Sequence, residues 1–260
     1  KHTEKLQKAG RNYRQLYGCE FYFVPSLKNW RRDYEDHRQA VSDAKNEKKA
    51  MEATDIDADD DVISTGHTVE NEDETKTIDV LKDEWKRRYH LVVIAKNQKG
   101  LENLFTLIKK SYKHGFYRFP RIDFDMLQQH GEGLVVSTAC LGGIFSNRIL
   151  RGEALKKSDQ EIQIELQNLA DRFVSCVGND NFFLELQFNR LSAQHKVNKG
   201  LLALHDSTGI PLVATADSHY YSPDKWEARE LYKRLGWMGN NPSPIPDFEE
   251  LKCELYPKNA

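Results

Sequence analysis

Leu212-Val213-Ala214-Thr215-Ala216-Asp217-Ser218-His219-Tyr220-Tyr221 opens with a short apolar run, set off by Gly209-Ile210-Pro211, that reads as a buried β-strand. The run ends in an aspartate and a histidine two positions apart. Residues i and i+2 of a strand point to the same face, so Asp217 and His219 aim at one point if the extended geometry persists. Carboxylate and imidazole converging at the C-terminal end of a strand are how α/β folds build metal and catalytic sites. A second reading has Asp217 capping the helix that Pro223 and Asp224 open. Asp-x-His alone leaves both standing.

The chain before this stretch alternates in the same way. Phe182 to Gln187 reads as a strand, and Ser192 caps a helix carrying Val197, Leu201 and Leu204. A helix from about Ser158 to Val177 sets Ile162, Leu166, Leu169 and Phe173 on one face. Gly133-Leu134-Val135-Val136-Ser137 is a strand running into Thr138-Ala139-Cys140-Leu141-Gly142-Gly143, which places a thiol where the strand yields to a glycine-rich loop. His90-Leu91-Val92-Val93-Ile94-Ala95 is a continuous apolar run of the kind buried in a parallel sheet, followed at helical spacing by Leu101, Leu104, Phe105, Ile108 and Tyr112. Tyr17 to Pro25 is an aromatic and β-branched strand, with helical text before it from Lys1 to Gly10. Beyond Trp226 the text is helical to about Leu235. Strands and helices at such short intervals predict an α/β fold with parallel strands.

Charge is unevenly distributed. The 260 residues sum to a net charge of -2, yet Glu52 to Glu84 holds 13 acidic and 2 basic residues, which leaves +9 on the remainder. That basic remainder permits a polyanionic partner without naming one. The stretch from about Lys28 to Arg88 is poor in apolar residues and too charged to offset its ordering entropy, so most of it reads as an inserted mobile loop, helical near Asp33 to Met51. His67 within it reads as solvated. No apolar run reaches the roughly 18 residues of a membrane span, and no signal-peptide pattern is present. Cys19, Cys140, Cys176 and Cys253 are scattered without a CxxC pair, which argues against a disulfide framework and for a reducing, cytoplasmic setting.

Glu20, His90, Cys140, Asp217 and His219 each lie in an expected strand or at its edge. Carboxylate, imidazole and thiolate are the usual ligands of zinc, and carboxylates bridging two ions mark multinuclear hydrolases. Spacing cannot group residues this far apart. Glu20 reads equally as an outward residue on a half-exposed strand, and His90 opens its strand where barrel ligands normally close theirs. In Gly115-Phe116-Tyr117-Arg118-Phe119-Pro120-Arg121, aromatics interleave with Arg118 and Arg121, a pattern that stacks nucleotides in some proteins and packs a loop in others.

Six stretches together resemble one family. Tyr17-Gly18-Cys19-Glu20-Phe21-Tyr22, Tyr89-His90-Leu91 through Ala95-Lys96-Asn97, Gly115-Phe116-Tyr117 with Pro120-Arg121-Ile122-Asp123, Gly133-Leu134 to Gly142-Gly143, Phe182 to Gln187 and Ala214 to Tyr220 follow the order of the PHP (polymerase and histidinol phosphatase) domain of bacterial DNA polymerase III alpha subunits. The resemblance implies a distorted seven-stranded β/α barrel whose cleft holds up to three divalent ions, whether zinc, manganese or magnesium. By position Glu20 would bridge two ions, His90 and Cys140 would complete one of those sites, Asp217 would bind the other ion, and His219 would help hold the third. The His-x-His strand and Asp-His pair that supply the family's remaining ligands are not found. The chain is therefore expected to begin inside the following helix, with the barrel incomplete at its N-terminus.

On this reading residues 1–235 form the PHP domain with an acidic, disordered insertion at about 33–88, and residues 236–260 lead toward polymerase domains. The expected function is that of a replicative polymerase part whose metal site hydrolyses phosphodiesters or supports proofreading. The expected partners are DNA, the remaining polymerase domains and a proofreading exonuclease subunit, with no membrane. A stand-alone PHP phosphoesterase and a non-catalytic scaffold are the rival readings.

Overall fold

The computed structural model describes residues 2–10, 15–49, 84–237 and 254–257. Most of the acidic stretch read as a disordered insertion, including His67, lies outside them. Among the described residues the strands are β1 (Tyr17–Phe23), β2 (Tyr89–Ala95), β3 (Arg121–Ile122), β4 (Leu134–Ser137), β5 (Phe182–Gln187) and β6 (Leu212–Thr215). The helices are α1 (His2–Lys8), α2 (Leu27–Lys49), α3 (Gln98–His114), α4 (Phe124–His130), α5 (Ile144–Ala154), α6 (Asp159–Val177), α7 (Ser192–Thr208) and α8 (Trp226–Trp237). The expected α/β fold is borne out.

Strand alternation gives the sheet two unlike faces. Phe21, Phe23, Tyr89, Leu91, Val93, Leu134, Val136, Phe182 and Leu184 are buried in one core with residues of α3 through α7. Phe173 of α6 stacks on Phe182 at 5.1 Å, and Phe124 of α4 meets Phe23 edge-on at 4.9 Å. The expected apolar face of α6 is the buried one, and Ser158 caps that helix in a reciprocal box with Glu161. The other face of the sheet carries the residues between those apolar positions, among them Glu20, Tyr22, His90, Ser137, Glu185, Gln187 and Thr215. Every candidate ligand on a strand falls on this polar face.

The sheet order is β3-β1-β2-β4-β5-β6. β2 runs antiparallel to both β1 and β4, whereas the β1–β3, β4–β5 and β5–β6 pairings are parallel. The expectation of a parallel β2 is therefore corrected, because an apolar run reports burial and carries no information on direction. The reversal also removes the difficulty with His90: the start of β2 lies beside the ends of β1 and β4, where ligands belong. β6 is half-buried, not enclosed as expected, because β5 is its only strand neighbour among the described residues.

α2 begins at Leu27, well before the helical start expected near Asp33, and its first turns belong to the fold. Leu27 and Trp30 are buried, and Asp123 accepts from the Leu27 N–H at 2.9 Å and from the Met126 N–H at 3.0 Å, capping α2 and α4 at once. Trp30 stacks on Tyr34 at 5.5 Å and donates through Nε1 to the Trp85 carbonyl at 2.6 Å. Leu27, Trp30 and Tyr34 follow helical spacing; the surrounding charge masked that signal. Ser192, expected to cap α7, is instead its first residue, with Leu191 in the capping position. Asp217 caps no helix, since Ser222 precedes the turn at Pro223–Lys225.

Candidate metal centre

Glu20, His90 and Cys140 meet on the polar face. Tyr22 pairs with His90 across β1 and β2, which sets Glu20, two residues earlier on the same face, diagonally opposite the imidazole. His90 Nδ1 lies 2.6 Å from Glu20 Oε1 and 3.4 Å from Cys140 Sγ. Ligand atoms of all three lie within 4.8 Å of one another.

The loop after β4 brings the thiol to this point. Ala139 turns the chain through a left-handed conformation at φ 58°, and the Gly143 N–H and Ser146 hydroxyl donate to the Cys140 carbonyl at 2.8 and 2.9 Å. The Gly142 N–H points at Cys140 Sγ from 3.4 Å, while the Gly142 carbonyl accepts from the His90 N–H at 3.0 Å. A Cβ on Gly142 would stand 3.1 Å from His90 Cγ, so glycine lets the loop close on the imidazole. The glycine-rich turn noted in the sequence is the clamp that joins thiol to histidine.

Electrostatics follow from this packing. The hydrogen bond to His90 holds the Glu20 carboxyl below its ordinary value, against the opposite pull of burial. Burial alone would lower His90, but its hydrogen bonds to Cys140 and Glu20 and their charges raise it to about 10. The donor set suits a divalent ion of zinc type. Two donors on one tetrahedral zinc stand about 3.5 Å apart for bonds of 2.0–2.3 Å, close to the His90–Cys140 separation. The Glu20–His90 distance is that of a hydrogen bond, so binding an ion to both would displace the proton they share. Glu20, His90 and Cys140 fit the ion.

Asp217 and His219 sit beside this group and not within it. Asp217 turns the chain at φ 45° directly after β6, and His219 Nδ1 lies 2.7 Å from the Asp217 carbonyl and 3.9 Å from its carboxylate. The His219 and Tyr220 N–H groups donate to the Leu255 carbonyl at 2.9 and 3.2 Å. Leu255, expected in an exit segment, is buried. Asp217 is raised from its ordinary value by burial and by the charges of Glu20 and Glu185, which places it in one field with Glu20 and His90.

The arginines of the basic-aromatic loop divide. Arg118 is exposed, 5.7 Å from the Tyr117 ring. Arg121, expected to touch nucleic acid, is buried: its Nη1 donates to the Tyr117 and Phe119 carbonyls at 2.7 and 2.8 Å, and its guanidinium lies 4.5 Å from the Trp30 ring. Through these two bonds Arg121 holds the loop by its backbone.

Sequence reasoning missed Glu185. It is buried, accepts from the Ser137 hydroxyl, from the Thr215 hydroxyl at 2.6 Å and from the Gln187 amide at 3.3 Å, and its own N–H donates to Thr138 Oγ1 at 2.8 Å. Glu185 and Gln187 are i and i+2 polar residues in an apolar strand, the same signal that singled out Asp217 and His219.

The chain is similar in sequence to known proteins. The chain is 35% identical over 159 residues to the DNA polymerase III subunit alpha of Treponema pallidum, covering 61% of this chain and 13% of that protein. It is 36% identical over 150 residues to that of Aquifex aeolicus (58% and 12%), and 38% identical over 182 residues to that of Borreliella burgdorferi (66% and 15%). The chain thus spans roughly an eighth of the length of these relatives. The PHP domain family model matches residues 1–189, a range that contains Glu20, His90 and Cys140. The chain belongs to the PHP domain family.

Proposed function

We propose that the chain is the PHP part of a replicative DNA polymerase of the DNA polymerase III alpha type, and that its polar sheet face hydrolyses phosphodiesters at the 3′ end of a DNA strand. The convergence of Glu20 Oε1, His90 Nδ1 and Cys140 Sγ at one point carries this reading. Glu20, His90 and Cys140 would hold one divalent ion, with Asp217 and His219 contributing to neighbouring positions in the same cleft. Such an ion acts as a Lewis acid on a phosphoryl oxygen. The protein's own part is to fix the donors: the β1–β2 ladder aims Glu20 and His90, and the Gly142 turn presents the thiol. DNA, the other polymerase domains and a proofreading subunit are the proposed partners, in a cytoplasmic setting.

The test uses the full-length protein that carries this chain. Zinc- or manganese-loaded protein should release nucleotides from a 3′-labelled single strand, and both a chelator and Cys140→Ser should abolish the release. Metal bound without any release would favour the scaffold reading. Cleavage of small phosphate esters in preference to DNA would favour a stand-alone phosphoesterase.

A further inference from the structure

From His90 the polar face continues into a strip of aromatic rings. The Tyr22 ring lies 5.5 Å from the His90 ring, and the Phe119 ring meets Tyr22 edge-on at 5.5 Å. The Arg88 guanidinium stands 4.5 Å from the Phe119 ring and 5.7 Å from the Tyr22 ring. Tyr22, Arg88 and Phe119 are all partly open to solvent. Three elements build the strip: β1 supplies Tyr22, the approach to β2 supplies Arg88, and the loop before β3 supplies Phe119. That loop is held from beneath. Tyr117 and Phe119 bond to each other across the turn, and Arg121 grips both their carbonyls.

Positive charge accumulates beneath the strip. Arg121 is brought down to about 10 by burial and then by the charge of Arg88, so two guanidiniums share one neighbourhood. Its Nε is buried with no hydrogen-bond partner. Partly exposed rings beside a guanidinium are elements that bind single strands, the bases stacking and the cation meeting the backbone. The strip starts at a candidate metal ligand, so a strand laid on it runs into that centre.

We propose that Tyr22, Phe119 and Arg88 form a binding strip for the last nucleotides of a single DNA strand, with base stacking on the rings and a phosphate on Arg88, leading the 3′ end to the Glu20–His90–Cys140 centre. The inference rests on the proposed hydrolysis for its direction and on the ring and guanidinium geometry for its substance. Phe119 and Tyr22 are stacking residues here, and Arg88 is a strand-binding residue.

Photocrosslinking of the full-length protein in chelator tests the strip without requiring activity. The probe is a short oligothymidylate whose 3′-terminal base is 5-iodouracil. Crosslinks should map to the peptides holding Tyr22 or Phe119. Arg88→Gln should cut their yield about tenfold, the scale of one stacking or phosphate contact, and should lower the log–log salt slope by about 0.7. Arg88→Lys, which keeps the charge, should restore most of the salt slope and shows that the fold survives substitution there. Crosslinks that map elsewhere, or a yield unchanged in Arg88→Gln, overturn the strip; so does a strip covered by another domain of the full-length protein. If the crosslinks map as expected but the loaded protein releases no nucleotides, the strip stands and the hydrolysis fails. The reverse outcome, release without these crosslinks, leaves hydrolysis standing and removes the strip.

Discussion

The two groups of candidate ligands are built differently. Glu20, His90 and Cys140 come from neighbouring strands and a clamped turn, so paired backbone fixes each of them. Asp217 and His219 follow the last strand of the sheet, where the backbone turns left-handed and His219 bonds back to Asp217's own carbonyl. A ladder positions side chains through many shared bonds; a turn positions them through a few. The first group has its ligand atoms assembled, whereas the second holds its atoms in reserve.

This contrast can be broken by metal binding. His90→Ala or Cys140→Ser should lower zinc affinity by more than about 100-fold, beyond the range of changes outside the ligand shell. Competition with a chromophoric chelator measures it. If either variant binds zinc like the parent, the assembled group is not the metal centre.

Glu185 sharpens the comparison because it bonds to the strands that lead into both groups. It bonds to Ser137, three residues before Cys140, and to Thr215, two before Asp217. Glu185→Leu strands the buried Ser137 hydroxyl and the half-buried Thr215 hydroxyl and should cost about 3 kcal/mol by urea unfolding, from about 1–3 kcal/mol for each unpaired group. A variant as stable as the parent would show that the two groups are not braced together.

Acidity gives a third, smaller handle. His90 rises in the fold from 6.5 to about 10, so the stability it contributes is complete below pH 6.5 and lost as pH climbs through about 10. Glu20 is lowered, so its share is present above its unfolded value of 4.5 and lost as pH falls through the folded one. Solvent screening keeps both effects modest, since half of the Glu20 side chain is exposed. The urea midpoint of metal-free protein should decline between pH 6.5 and 10, and Glu20→Gln should flatten the decline. A flat parent profile would uncouple the hydrogen bonds from folding. The smallest effect belongs to His219→Ala, which should change zinc affinity at the first group by less than about twofold, since outer positions matter only when they orient a ligand. An equal loss in His219→Ala and His90→Ala would erase the distinction.

The sequence carried the strands and helices well, because alternation and helical spacing report burial. It marked Glu20, His90 and Cys140 by residue type at strand edges, but it could not show that they meet. That depends on β2 running backwards, and direction leaves no trace in an apolar run. The bonds of Arg121 were hidden for a related reason, since a guanidinium aimed at backbone carbonyls reads the same in a sequence as one aimed at phosphate. Glu185 was visible as a polar i, i+2 pair with Gln187 and went unread because no second motif drew attention to it.

The bond from Trp30 to the Trp85 carbonyl bears on how such a domain can change over generations. It ties the start of α2 to the approach to β2, so the stretch of sequence from residue 50 to residue 83 is a detour between flanks that are stapled together. Doubling the length of a closed loop costs only about 0.6 kcal/mol, provided the staple holds. Lineages can therefore lengthen, shorten or recharge the detour with little penalty, and a fluorescent domain could be grafted there. Trp30, with the Tyr34 that stacks on it, is what such drift must leave alone.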